Sequence, residues 1–307
     1  MQILITGGLG HIGSFFINKI VNNNKVKSII LIDNLSTQRY VSLLNLKNKS
    51  KIRFVNEDVS KFNFKNINNK INIVIHLAAI TNAEASFNNK KKLIKNNLGG
   101  TRKIVDFCKK NNAKLIFSSS TSVYGKQFKV INSSNNYKNL RPQSPYAECK
   151  ILEENIIKKN LKNYIILRFG TIVGISHGMR FHTAINKFCY QACMGEPLTV
   201  WKSFYFFKRP YLTINDCANS IIFFTINKKN YNGLFDVVTE NLHLKKIIQK
   251  IRSLKKIKIN FTNTKILNQN SYHVKSDLIK KLGFAFVGSI DAEINKLIKH
   301  IGNFKIG

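Results

Sequence analysis

Cysteines are few in this chain and poorly arranged for cross-linking. Five stand among 307 residues, at Cys108, Cys149, Cys189, Cys193 and Cys217. An odd number with no Cys-x-x-Cys pair argues against a disulfide framework and against a zinc site. Cys189 and Cys193 have helical i, i+4 spacing, but neither has a His or carboxylate at ligand spacing, so no metal is expected. Hydrophobic residues make up 44% of the chain, enough for a sizeable core, yet no apolar run reaches the length that spans a bilayer. No stretch rich in Pro, Gly or Ser divides the sequence, and no internal repeat is visible. The opening MQILITGG reads as a β-strand, not as a basic segment followed by a secretory core, so a cytoplasmic location is expected.

Acidic residues are scarce: 15 Asp and Glu stand against 50 Lys and Arg, a net charge of +35. Such a charge raises the question of nucleic acid or an anionic membrane surface. The lysines are dispersed, however, with only short clusters such as Lys90–Lys92 and Lys255–Lys258, and there is no basic tail or aromatic-basic RNA motif. Neither a nucleic-acid nor a membrane partner is expected. A positive field does favour an anionic substrate.

The first half alternates short β-branched runs with helical stretches, the pattern of a parallel α/β sheet. Strands are predicted at Gln2–Thr6, Ser28–Asp33, Ile52–Asn56, Ile71–Leu77, Lys114–Ser119 and Tyr164–Phe169, with helices at Ile12–Val21, Lys91–Lys110 and Tyr146–Lys159. Runs such as Ile29-Ile30-Leu31-Ile32 imply burial on both faces. After Gly170 the rhythm changes. A loop at Gly174–Gly178 precedes a predicted helix at Phe181–Met194, a short strand near Thr199, the aromatic stretch Phe204–Phe207 and a helix at Asn215–Ile226. A strand at Gly233–Val238 is expected to rejoin the sheet, and a last helix runs near Ile290–His300. The fold class is therefore α/β: a Rossmann-type doubly wound parallel sheet in residues 1–170, with a smaller C-terminal substrate-binding lobe in 171–307.

Between the first strand and first helix stands Thr6-Gly7-Gly8-Leu9-Gly10-His11-Ile12-Gly13. Glycines in that context let the backbone turn tightly and approach a pyrophosphate, which the helix N-terminus then attracts. Gly7, Gly10, His11, Ile12 and Gly13 are the expected contacts. Asp33 ends the second strand about 20 residues further on, where an acid accepts hydrogen bonds from a ribose and repels a 2′-phosphate; NAD is expected rather than NADP. Asp58 and Val59 follow the third strand, beside the expected adenine. Tyr146 and Lys150 are spaced i, i+4 and share a helix face. The ammonium is expected to lower the phenol's pKa and make Tyr146 a general base. The hydroxyls of Ser118-Ser119-Ser120, at the end of a predicted strand, would reach the same place.

Taken together, these motifs resemble the extended short-chain dehydrogenases/reductases of the NAD-dependent nucleotide-sugar epimerase/dehydratase group. The matching pieces are Gly7–Gly13, Ile32-Asp33-Asn34-Leu35, His76-Leu77-Ala78-Ala79, Asn97 with Gly100-Thr101, Ser118–Gly125, Pro142–Lys150, Leu167-Arg168-Phe169 and Arg209–Asp216, in family order along nearly the whole chain. The resemblance implies that Tyr146 is the base, that Lys150 binds the nicotinamide ribose and tunes it, and that Ser120 shares a hydrogen bond with the reacting hydroxyl. It also implies cofactor contacts from Asn34, Leu77, Ala78, Ala79, Asn97 and Ser118. Substrate contacts are implied from Ser120, Thr121 and Arg209, which would hold the substrate pyrophosphate. Dehydratases of this group carry Asp-Glu, and decarboxylases Glu, where this chain has Thr121 and Ser122, so both reactions are disfavoured.

SSSTSVYG resembles the UDP-glucose 4-epimerase-like members most. The implied activity is C4 epimerisation of a UDP- or GDP-linked sugar through a 4-keto intermediate, by a homodimer packed through the helices near Lys91–Lys110 and Tyr146–Lys159. Two other readings stay open: a one-way nucleotide-sugar 4-dehydrogenase or 4-ketoreductase, for example on an activated heptose, and a non-catalytic NAD-binding module. Thr171, Pro210 and Asn270 depart from the epimerase pattern and leave the sugar open. Arg180 is read as a ligand for a phosphate or sugar carboxylate, or else as a solvated surface residue. His11 and His76 are read as local motif residues, His182 as structural or exposed, and Cys149 as a small helix-packing residue.

Overall fold

The computed structural model describes residues 1–83, 85–125, 130–132, 140–227, 229–263 and 271–302. Asn270 lies outside them. The first half contains β1 (Gln2–Thr6), α1 (His11–Ile20), β2 (Ser28–Ile32), α2 (Tyr40–Leu44), β3 (Ile52–Val55), β4 (Ile73–His76), α3 (Lys90–Asn111) and β5 (Lys114–Ser120). Next come β6 (Ile131–Asn132), α4 (Pro145–Asn160), β7 (Tyr164–Phe169), β8 (Thr171–Val173) and α5 (Ala184–Cys193). The remainder holds β9 (Leu198–Trp201), β10 (Lys208–Thr213), α6 (Ile214–Ile226), β11 (Gly233–Val237) and β12 (Glu240–His243). It ends with α7 (Leu244–Leu254), β13 (Ile259–Thr262), β14 (Val274–Lys275), α8 (Asp277–Lys281) and α9 (Ile290–Ile301).

Seven strands form a sheet in the order β11-β7-β5-β4-β1-β2-β3, and every described pairing in it is parallel. The strands' unbroken apolar runs follow from a period of two between two buried faces. Ile3, Ile5, Ile29 and Leu31 pack with Phe16 and Ile17 of α1 and Ile221 and Phe224 of α6. Their neighbours Leu4, Ile30 and Ile32 pack on the opposite face with Ile104 and Val105 of α3 and Ile157 of α4. The chain leaves β1 towards β2 and β3, then returns to β4 on the other side of β1. That reversal opens a crevice at the C-terminal ends of β1 and β4, the usual ligand position in such sheets.

The strand at Gly233–Val237 pairs with β7 and so places part of the second half in the main sheet. A smaller body forms around α5, α7 and α9, with Ile185, Phe188, Ile247, Ile251, Ile294 and Leu297 in its core. The expected helix at Phe181–Met194 begins only at Ala184, because the preceding residues belong to a loop tied to the first helix. No strand was expected at β10, which contains Pro210. Its place explains why proline is tolerated: the β8 ladder covers only Tyr211–Thr213, so Pro210 has a ladder partner on the β12 side alone. Helix α7 was also not anticipated, although Leu244, Ile247, Ile248 and Ile251 have amphipathic spacing and are all buried.

Cys149 is buried against Leu93 and Leu98, between α3 and α4, as a packing residue. Among the described residues, no helix is long and apolar enough to cross a membrane.

Candidate active site

The glycine turn is a close-packed piece of backbone. Gly7 has φ +67°, and a Cβ there would lie 2.5 Å from the amide nitrogen of Ala78. A Cβ on Gly13 would lie 2.4 Å from Cα of Gly8. Both positions therefore exclude other residues. Gly10 is the N-cap of α1 and offers no side-chain cap, and the first turn contains no acid. The first N–H groups of α1 are left for an anion.

At the tips of the neighbouring strands, Asp33 takes the amide of Leu9 on one carboxylate oxygen at 3.0 Å and the amide of Leu35 on the other at 3.0 Å. Asn34 donates to Asp58 at 2.9 Å. Burial pushes the Asp58 carboxyl up, but hydrogen bonds from Ser60 and Asn34 and nearby Lys61 outweigh it and hold the group below its ordinary value. Val59 is buried and stands beside Gly100. Asn97 uses its whole amide on one peptide: Ile80 N–H donates to it at 2.9 Å, and it donates to the Ile80 carbonyl at 3.1 Å. It therefore fixes the loop carrying Leu77, Ala78 and Ala79.

A cavity of about 320 Å³ opens beside the glycine turn. Gly7, Gly10, His11, Ile12, Gly13, Leu77, Ser118, Ser120, Tyr146, Arg180 and Arg209 all line it. Thus the turn, the phenol and two arginines that follow the turn's first glycine by more than 170 residues in sequence share one space. Asp33, Asn34, Asp58, Val59, Ala78, Ala79, Asn97 and Lys150 do not line it. Thr121 does not either: it is buried and its hydroxyl is 3.3 Å from that of Tyr272, so the side chain turns away from the place expected for substrate. Ser122, one residue on, lines the cavity instead and has a buried hydroxyl with no partner among the described residues.

Ser144 caps α4 through the amide of Ala147, with Pro145 in the first turn, so Tyr146 sits at the helix start. Its phenol and Ser120 line the same cavity, and the Ser120 hydroxyl acts to lower the phenol's pKa. Lys150 lies one turn on, its ammonium 5.9 Å from the Tyr146 ring centre and 4.5 Å from that of Phe117. Glu153 pairs with Lys150 at 3.0 Å, both buried. The expected lowering of the phenol's pKa is not what the protein groups alone produce. Burial pushes Tyr146 up, Lys150, Arg180 and the Ser120 hydroxyl pull it down, Glu153 pushes it up, and the net direction is upward. Burial pulls the Lys150 ammonium down, but Glu153 and Tyr146 outweigh it and hold the group above its ordinary value.

The loop after β8 forms a strap over the glycine turn. Gly178 packs so tightly that a Cβ would lie 2.5 Å from the carbonyl oxygens of Leu9 and Gly10. Its amide donates to Ser14 at 3.1 Å, and the His11 ring nitrogen Nε2 is 3.0 Å from the Gly174 carbonyl. Buried Asn186 accepts from the amide of Gly174 at 3.4 Å and donates to the carbonyl of Arg180 at 3.0 Å, closing the strap at both ends. Arg180 donates to Thr81 and is half-buried, so it is not a solvated surface residue. His182 is exposed at the cavity wall. Across the cavity, Arg209 lies 5.3 Å from the Tyr272 ring centre and has one buried guanidinium nitrogen with no partner among the described residues.

Residues 3–234 match the model of the NAD dependent epimerase/dehydratase family. The chain belongs to this family. Its cofactor is accordingly NAD, and the uncapped glycine turn with the cavity beside it fits that group. Among relatives, the "Uncharacterized UDP-glucose epimerase YtcB" of Bacillus subtilis is 28% identical over 235 residues, 72% of this chain and 71% of its own length. A dTDP-D-glucose 4,6-dehydratase of Dictyostelium discoideum is 33% identical over 194 residues; the match spans 56% of this chain and only 44% of that protein. Among solved structures, the UDP-glucuronic acid 4-epimerase of Bacillus cereus, in complex with UDP-glucuronic acid and NAD, superimposes with a TM-score of 0.89 at 24% identity. That match covers 98% of this chain and 99% of the other and shows a shared fold.

In this epimerase/dehydratase Lys150 is tied to the glycine turn by a buried chain of contacts through Glu153. Thr101 donates to Glu153 at 2.7 Å, leaving its oxygen to accept from His76 Nε2 at 3.2 Å. Burial keeps the His76 ring neutral, and with Nε2 protonated its Nδ1 accepts from Thr6 at 2.6 Å. Burial, reinforced by Lys150, pulls the His76 pKa from 6.5 to about 3. Burial does the same to His11, down to about 3, against the opposing bond to Gly174. Both folded values are depressed, so between pH 6.5 and 3 the unfolded chain binds more protons than the native one. The contribution is complete above the unfolded value and is lost as pH falls towards the folded one. We expect Tm to fall steeply on acidification below pH 6.5, and His76→Gln to flatten part of that slope. Parallel slopes for the two proteins in thermal melts across that range would contradict this.

Proposed function

We propose that this chain epimerises a nucleotide sugar at C4 through a 4-keto intermediate. The observation that carries the reading is one cavity that joins the glycine turn to Tyr146 and Ser120, and then to Arg209, whose Nη1 has no hydrogen-bond partner among the described residues. When bound, NAD supplies the hydride acceptor that is also the donor for the return. Ser120 and Tyr146 hold the C4 hydroxyl, and Tyr146 takes its proton as the ketone forms and gives it back later. Lys150, fixed by Glu153, keeps positive charge behind the phenol. Arg209 holds the sugar's diphosphate while the keto sugar turns. No Asp or Glu lines the cavity among the described residues, which supports epimerisation over dehydration, because elimination of water needs further acid-base groups.

In this reading residues 1–170 hold the cofactor and 171–307 mainly the sugar. A UDP-linked substrate, with GDP as the alternative, accords with the names of the relatives. The proposed setting is the cytoplasm, and the proposed assembly is a homodimer through α3 and α4, where Leu152 exposes an apolar side chain. The test is incubation of the purified protein with a panel of UDP- and GDP-sugars, followed by NMR of the products. Two C4 epimers with no net reduced nicotinamide are expected. Accumulation of one keto sugar with stoichiometric reduced nicotinamide would mean a 4-dehydrogenase. NAD binding with no turnover of any sugar would mean a binding module.

A further inference from the structure

Two arginines converge on the glycine turn, and neither has a salt-bridge partner among the described residues. Arg39 follows β2 and brings its guanidinium beside Gly10, 3.5 Å from where a Cβ would stand. Arg180 arrives from the opposite direction on the strap, two residues after Gly178 meets that same glycine. Its Nη1 donates to Thr81, while its Nε is buried with no partner among the described residues. Burial lowers the Arg180 pKa to about 10, and repulsion from Arg39 adds to the effect against a smaller opposing pull from Tyr146. Burial also lowers Arg39, with Asp33 opposing. Holding two guanidinium groups together at partial burial is costly unless an anion joins them. Beneath them stand the uncapped N–H groups of α1. The set is complementary to a diphosphate, which offers charge and acceptor oxygens to both forks at once.

We propose that Arg39 and Arg180 close over the diphosphate of the dinucleotide from the side facing the glycine turn, making the strap 174–180 a cofactor clamp. The proposal rests on the NAD reading of the site and reassigns Arg180 from substrate to cofactor. A nucleotide sugar also carries a diphosphate, but Arg209, whose Nη1 has no hydrogen-bond partner among the described residues, stands ready for it on the wall built by β10. The strap meanwhile is bonded to α1, at Ser14 and His11.

The test is calorimetric titration of NAD, adenosine and UDP into wild type, Arg180→Ala, Arg180→Lys and Arg39→Ala, each stripped of bound nucleotide. Losing one charge-assisted contact to phosphate is expected to weaken NAD by about 10- to 100-fold in both alanine variants. Arg180→Lys should recover part of this loss, and the loss should shrink at high salt. Adenosine, which lacks phosphate, and UDP should bind all four proteins alike. NAD affinity unchanged in Arg180→Ala, or UDP affinity lowered in its place, would overturn the clamp while leaving the epimerase reading intact. A wild type that binds no NAD would overturn both.

Discussion

Tyr146→Phe is expected to lower kcat by about 10²- to 10⁴-fold, the usual worth of a positioned general base, while NAD affinity stays within about twofold of wild type. The phenol lines the cavity with Ser120 and has two cations acting on it, Lys150 and Arg180. Phenylalanine keeps the ring and its packing at the start of α4 and removes only the oxygen. The same panel of sugars, read by NMR, measures the effect, and a variant with wild-type turnover would remove Tyr146 from the chemistry. The net upward shift of the phenol adds a second expectation. Burial outweighs Lys150 in the protein alone, so Tyr146 should stay protonated until the cationic nicotinamide ring adds its charge. A titration of the phenol with and without NAD should therefore show a lower pKa with the cofactor.

The second large effect is on stability. Arg168→Met is expected to destabilise the protein by about 3–5 kcal/mol, because it removes one member of a buried, doubly bonded ion pair. Arg168 and Glu154 are both fully buried and joined by two bonds, Nε to Oε1 at 2.8 Å and Nη2 to Oε2 at 2.6 Å. Arg168 also donates to the Tyr124 hydroxyl at 2.9 Å, and that hydroxyl donates to Asp236 at 2.8 Å. Ser119 donates to Glu154 at 2.6 Å. One guanidinium thus links α4, β5, β7 and β11 under the serines that face the cavity. Equilibrium denaturation of the two proteins checks the figure, and a loss below about 1 kcal/mol would mean that the methionine packs well enough to replace the pair.

Much of this was legible in the sequence because the relevant signals are local. The turn Gly7–Gly13 and the Tyr146–Lys150 pair are set by spacing within one element, and the apolar runs of β2 and β4 reveal two buried faces. What stayed hidden depends on tertiary placement. Glu153 is three residues from Lys150, yet only its burial shows that it is the lysine's partner. The choice between Thr121 and Ser122 turns on which way a short helical turn rotates after β5; the first faces Tyr272 and the second the cavity. Arg39 carries no motif of its own and matters because the strap brings Arg180 to it. β10 carries Pro210, which a strand tolerates only where no ladder bond needs its missing N–H, and sequence does not show where the β8 ladder stops.

The clasp made by Asn186 has a bearing on metabolism. If the strap 174–180 closes over the dinucleotide as proposed, release requires that clasp and the Ser14 and His11 contacts to open. A hydride that departs and comes home behind a shut door never mixes with the surrounding pool. Turnover of such a protein would ignore whether the cell is rich or poor in reducing equivalents, and would answer only to the ratio of the two sugars.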